Sequence, residues 1–148
     1  IERLKSIIDA ANEISADNAI IFPVHPRTEK IISKLKIKIN KTVITCPPLS
    51  YPEMLVLEKS AMMIMTDSGG VQKEAFFFDV PCITMRDETE WVEAVQTGVN
   101  ILTGADNKKI VRAFANFAKN PPSRGGARPY GNGDASAKIA SDLLSSAS

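Results

Sequence analysis

The sequence predicts an α/β protein built as a doubly wound parallel sheet, and three observations carry that expectation. Short apolar runs of strand length alternate with longer stretches of helical periodicity along the 148 residues, the pattern of parallel strands joined by crossover helices. The run Met62-Met63-Ile64-Met65 is continuously apolar, as a strand buried on both faces should be. Directly after it comes Thr66-Asp67-Ser68-Gly69-Gly70, a strand-end turn with a good helix N-cap in Ser68.

The elements follow in order. Leu4, Ile7, Ile8, Ala11 and Ile14 share one helical face, so the first fifteen residues read as an amphipathic helix. Ala19 to Phe22 is a strand, stopped by Pro23 and Pro26. Ile31, Ile32 and Leu35 mark a second helix, and Thr42 to Thr45 a strand broken by Pro47-Pro48. Tyr51 to Ser60 is a helix with Met54, Leu55 and Leu57 as its expected inner residues. Strand 62–65, helix 70–78 and strand 82–85 come next, then a helix near Glu90 to Thr97 that stops at Gly98. Asn100 to Thr103 is a fifth strand, and Ile110, Val111, Phe114 and Phe117 line a helix starting near Asp106. A connector from Pro121 to Gly133 leads to a last helix carrying Ala135, Ile139 and Leu143, with a frayed tail expected from Ser145 to Ser148.

Composition narrows the function. With 44% hydrophobic and 24% charged residues, the chain has ample core and an ordinary polar surface for one domain or a large piece of one. A net charge of +1 gives no footprint for nucleic acid or an anionic membrane. No apolar run approaches the roughly 20 residues that span a bilayer, and Ile1 to Ala11 is too charged for a signal peptide. Cys46 and Cys82 read as buried free thiols of a reducing, cytoplasmic protein. The opening at Ile1 reads as the start of a segment of a longer protein.

Right-handed crossovers place the loops 25–29, 46–51, 66–70, 86–90 and 103–106 on one edge of the sheet. At Ser68-Gly69-Gly70 a helix N-terminus presents unpaired amides and a positive dipole end, a phosphate site that needs no cationic side chain. The local reading is a diphosphate or sugar-nucleotide pocket, although a plain strand-to-helix turn accounts for the same residues. Glu74, one turn into the helix, can accept two hydrogen bonds from a ribose diol, or it is simply an acid favoured by the dipole. Arg86 suits a phosphate partner, or pairs with Asp87, Glu88 or Glu90. His25, the only histidine, is a candidate for acid–base work or a structural residue. No cysteine–histidine spacing suggests a metal, no triad surrounds Ser68, and no cofactor is expected.

Together, Pro23-Val24-His25, the block Thr66 to Ala75, Val80-Pro81-Cys82, Arg86 to Glu93 and Pro129 to Asp134 resemble the non-hydrolysing UDP-N-acetylglucosamine 2-epimerases. The resemblance implies a GT-B-type architecture in which two Rossmann-like domains clamp a nucleotide sugar. Residues 1–148 then form the C-terminal, nucleotide-binding domain, with the N-terminal domain absent and a homodimer in the complete protein. By position, Ser68, Gly69 and Gly70 would contact the diphosphate of UDP or UDP-GlcNAc and Glu74 the ribose. Pro48 to Met54 would cover the uracil, and Arg86 would join the substrate set. The implied reaction is inversion at C2 of the sugar through elimination and re-addition of UDP. The family's acid–base carboxylates belong to the first domain, so no catalytic residue beyond the candidate His25 is expected here, and the chain alone should be inactive. Trp91 stands where many members carry arginine, and Met54 where many carry an aromatic residue. Asn132 shifts the acid of the usual Tyr-Gly-Asp-Gly turn to Asp134. A donor-binding domain of a GT-B glycosyltransferase and a non-catalytic nucleotide-binding module are the alternatives.

Overall fold

The computed structural model describes residues 1–146. Its elements are α1 (Glu2–Ile14), β1 (Ile20–Pro23), α2 (Pro26–Leu35), β2 (Val43–Cys46), α3 (Tyr51–Ser60), β3 (Ile64–Thr66) and α4 (Gly69–Phe78). They continue with β4 (Cys82–Thr84), α5 (Val92–Gln96), β5 (Asn100–Leu102), α6 (Asn107–Lys119) and α7 (Ala135–Ser146). Strands and helices alternate as predicted, and every strand pairing is parallel.

The strands form two ladders, β1–β2 and β3–β4–β5. The expectation of one continuous sheet needs this refinement: β1 and β3 share no backbone ladder and are linked through a side-chain cluster on which both pack. Ile20 of β1 and Met65 of β3 both pack on the cluster of Ala10, Ile14 and Ile110 from α1 and α6. Helices cover both faces of the longer ladder. Ile64 and Cys82 meet Ala75 of α4 on one side, while Ile83 meets Ala113 and Phe117 of α6 on the other. That alternation is the period-2 geometry of strands wound on both faces.

Three expectations shift. Met62 is 60% exposed, and the strand begins at Ile64, two residues late. Only Ile64 to Thr66 find partners on β4, so Met62 lies ahead of the ladder and outside the core. In α3 the buried residue is Glu58, whereas Met54, Leu55 and Leu57 are half-buried. One side of α3 packs on α4. The other faces an open groove of about 550 Å³ lined by Ile21, Cys46, Val56 and Leu57, so that side's apolar residues stay partly wet. Cys46, expected buried, is half-buried for the same reason. Of the expected frayed tail, Ser145 and Ser146 complete α7, and residues 147 and 148 lie outside the described part. No helix among the described residues is long and apolar enough to cross a membrane.

Candidate functional site

Ser68 caps α4 as predicted. Its backbone is extended (φ −82°, ψ 128°), and its Oγ accepts from the Val71 N–H at 3.5 Å. Thr66, the last residue of β3, fixes the turn by accepting the Ser68 N–H on its Oγ1 at 3.0 Å. The helix proper starts when the Ser68 carbonyl accepts the Gln72 N–H at 3.2 Å. The Gly69 and Gly70 N–H groups have no partner among the described residues. Two free amides at the positive end of a helix are an anion site in waiting.

The two glycines differ. A Cβ on Gly69 would lie 2.5 Å from Glu90 Oε1 and 3.3 Å from Trp91 Nε1, whereas one on Gly70 would meet nothing nearer than Ser68 Oγ at 3.8 Å. The protein itself therefore crowds Gly69 and leaves Gly70 facing open space. Glu90 is held by Arg86, whose Nη1 donates to Glu90 Oε2 at 3.2 Å. Of the two expectations for Arg86, the structure shows the pairing, with Glu90 as the partner.

A buried polar network holds the 86–91 loop beside α4. Thr89 Oγ1 donates to Gln72 Oε1 at 2.7 Å and accepts the Trp91 N–H at 3.2 Å. Asn100 Nδ2 donates to the same Gln72 oxygen at 3.3 Å, and Thr84 Oγ1 donates to Asn100 Oδ1 at 2.7 Å. Gln72, Thr84 and Asn100 are all 2% exposed or less, so these bonds are shielded from water, and losing a partner there is costly. Behind them, Trp91 and Tyr130 pack edge-to-face with centroids 6.0 Å apart, and Lys73 Nζ lies 4.3 Å above the Trp91 ring.

Glu74 faces the other way, toward α3. Its carboxylate raises the pKa of the Tyr51 phenol, through hydrogen bonding first and charge second. It also acts on Glu58, whose carboxyl is pushed up to about 7, by burial first and then by the Glu74 charge. Met54 is half-buried in the first turns of α3, on the helical face it shares with Tyr51 and Glu58. Tyr51 and Glu58 are the residues that sequence reasoning missed. The available signal was their spacing of seven, which aligns them with Met54 on one face, but an acid at an inner helical position argues for solvent on composition alone.

The remaining predicted residues gather at the ends of β1 and β2. Pro48 lines a cavity of about 390 Å³ with Val24, Pro26 and Pro47. Neither this cavity nor the groove beside α3 is lined by Ser68, Gly70 or Glu74. His25 is exposed and caps α2, its Nδ1 accepting the Arg27 N–H at 3.2 Å, which is the structural role left open above. Cys82 is an inert thiol, its pKa pushed up to about 12 chiefly by burial.

Fold and rim together define a parallel α/β domain that offers a helix N-terminus, a nearby carboxylate and a polar-braced loop on one edge. The profile of the UDP-N-acetylglucosamine 2-epimerase family matches residues 1–144, and the chain belongs to that family. It is 47% identical over 143 residues to a UDP-2,3-diacetamido-2,3-dideoxy-D-glucuronate 2-epimerase of Pseudomonas aeruginosa, covering 95% of this chain and 39% of the relative. To a UDP-N-acetylglucosamine 2-epimerase of Methanocaldococcus jannaschii it is 44% identical over 144 residues, covering 93% and 39% respectively. The crystal structure of the M. jannaschii enzyme with UDP-GlcNAc and UDP superposes with a TM-score of 0.85 at 42% identity, across 97% of this chain and 41% of that one. The chain thus spans about two fifths of the length of these relatives.

Proposed function

We propose that this chain is the nucleotide-holding, C-terminal domain of a UDP-N-acetylglucosamine 2-epimerase, one half of a GT-B-type enzyme. The observation that carries the proposal is the N-terminus of α4, where the Gly69 and Gly70 amides are free and Glu74 stands one turn further in. In this reading the amides and the Ser68 hydroxyl take the diphosphate, Glu74 accepts the ribose hydroxyls, and the Pro48–Met54 loop covers the uracil. Arg86, released from Glu90, adds a positive charge at the same mouth.

The chemistry asked of this half is leaving-group stabilisation. Elimination across C1–C2 of the sugar develops negative charge on the departing UDP. Fixed amide dipoles answer that charge without reorganising, and Arg86 joins them once it leaves Glu90. The proton at C2 is handled by carboxylates of a first domain, so the chain alone binds but does not turn over. In this reading His25 serves as the cap of α2, through its Nδ1, and is given no chemical step. The complete enzyme is read as a cytoplasmic homodimer, and the unpaired Cys46 and Cys82 suit a reducing compartment. The relatives named above are epimerases of UDP-GlcNAc and of a diacetamido-glucuronate nucleotide, and the UDP portion common to both is what this rim fits.

The test is a calorimetric titration with UDP against ADP, paired with an epimerisation assay of UDP-GlcNAc in the complete protein without any acceptor. Selective UDP binding and acceptor-free inversion support the reading. Strict acceptor dependence would instead make the protein a glycosyltransferase. Glu74→Ala should weaken UDP binding by about 1–3 kcal/mol, the scale of lost charge-assisted hydrogen bonds. Unchanged affinity in a folded variant removes the ribose role.

A further inference from the structure

Glu58 is a carboxyl group with no evident reason to be where it is. The residue is 3% exposed, both its oxygens are shielded, and no N–H or hydroxyl group of the described residues donates to either; the neighbour that bears on them is the Glu74 carboxylate. It makes no ion pair among the described residues. The titratable groups coupled to it are Glu74 on α4, Tyr51 in the first turn of its own helix and Cys82 on β4. None of the three is a cation. A buried carboxylate beside a second carboxylate and no positive charge resolves its energetics by keeping a proton. Between the two acids the proton goes to the more buried one, because Glu74 is half-exposed at the rim and water solvates its charge.

We infer that Glu58 is a positioning residue for the nucleotide site: as a buried neutral acid it donates its proton toward Glu74 and aims that carboxylate at the ribose of a bound uridine nucleotide. This rests on the ribose role proposed for Glu74 and adds the device that orients it. Geometry supports the assignment from both sides. Tyr51 and Glu58 lie two turns apart on one face of α3, α3 packs on α4, and the Glu74 charge acts on both side chains. An oxygen engaged by Glu58 leaves the remaining lone pairs of Glu74 turned outward, where a vicinal diol can bind. With its carboxyl pushed up to about 7, Glu58 loses its proton just above neutrality. Two like charges then face each other across α3 and α4, and Glu74 is driven off its alignment.

Two measurements on the intact protein test this. The first is a pH titration of the Glu58 side-chain carboxyl carbon by NMR, assigned with Glu58→Gln. A midpoint near 7 is expected, and one in the ordinary carboxylate range, near 4.5, overturns the inference whatever UDP does. The second is UDP affinity at pH 6 and pH 8.5 in the wild type and in Glu58→Gln, whose amide donates at both pH values. The nucleotide's own phosphate ionisation, near pH 6, is common to both proteins and cancels. The wild type should lose roughly fivefold more affinity than the variant on going to pH 8.5, about one hydrogen bond's worth. Parallel pH profiles overturn the positioning role and leave the nucleotide reading intact. No UDP binding to either protein at pH 6 overturns the nucleotide reading itself, and the positioning role falls with it. The wild-type carbon titration stands even where Glu58→Gln fails to fold.

Discussion

The two strand ladders carry the two sides of the candidate site, and they are packed unlike each other. In β3–β4–β5 the central strand is buried along its whole length, and Ile83 and Thr84 have no exposed surface. In β1–β2, Ile21 and Ile44 remain 48% and 54% exposed, and α2 buries no residue at all. The phosphate rim, from Ser68 to Gly70 with the 86–91 loop, hangs on the first ladder and is braced by the Gln72 network. The segment read as the uracil cover, Pro48 to Met54, hangs on the second. What the difference teaches is a division of labour. The segment read as the phosphate rim is built on a dry, close-packed frame, and the segment read as the base cover rests on a thinner one.

The largest effect that tests this contrast is core truncation. Ile83→Ala should cost about 3–4 kcal/mol, the usual price of a cavity in a closed site, whereas Ile44→Ala should stay within about 0.5 kcal/mol. Urea midpoints at constant m-value measure both. Equal losses would mean that the ladders differ in exposure but not in energetics.

The next effect comes from pH, through Glu58 at the junction of α3 and α4. Its folded carboxyl lies at about 7 against an ordinary value of 4.5, so the native state holds a proton that the unfolded chain has already released. Its contribution to stability is therefore full below pH 4.5 and is lost as pH rises through 7. The total is about 3 kcal/mol by proton linkage. Denaturation of the wild type against Glu58→Gln across pH 4.5 to 8 isolates it, and a difference that stays flat with pH would refute it.

Smaller again is Gln72→Met, which keeps the shape but removes the acceptor shared by Thr89 and Asn100. It should cost about 1–2 kcal/mol, because a buried donor on Asn100 and a half-buried one on Thr89 lose their partner. Part of that is offset, since Gln72 Nε2 is itself unpartnered in the native protein. If the frame matters for the site, UDP affinity should fall as well. A stable variant with unchanged affinity would detach the brace from binding.

The comparison also explains what the sequence did and did not reveal. Alternating periodicities were enough for the parallel α/β class, and Ser68 was legible as the cap of α4 because N-cap chemistry is local. Strand ends were misplaced by one or two residues. Where Met62 ends and Ile64 begins depends on where β4 lies alongside, a non-local fact. The break between β1 and β3 is likewise set by tertiary packing on α1 and α6. Glu58 was illegible for a physical reason: a glutamate is normally read as solvated, and only the proximity of Glu74 from another helix shows it to be a buried acid. Gln72 and Asn100 hid in the same way, since polar residues announce burial only when their partners are known.

The smallest effect is the most discriminating one at the site. Gly70 lies at the second position of α4, and nothing nearer than 3.8 Å would meet an added Cβ there. Gly70 shows no positive φ, so its backbone asks for no glycine. On folding grounds alone Gly70→Ala should be neutral or stabilising by about 0.5 kcal/mol, through helix propensity and a less disordered unfolded chain. Gly69→Ala differs, because its Cβ would displace the Glu90 carboxylate and break the exposed pair with Arg86, a loss of under about 1 kcal/mol. If Gly70 is a plain turn residue, its alanine variant keeps its stability and has nothing else to lose. If the Gly70 amide instead lies against a diphosphate, the same methyl group stands between helix and ligand, and UDP affinity drops while the urea midpoint holds or rises. That split between binding and stability is the expected result, and an alanine variant that binds UDP as well as the wild type would return Gly70 to the plain turn.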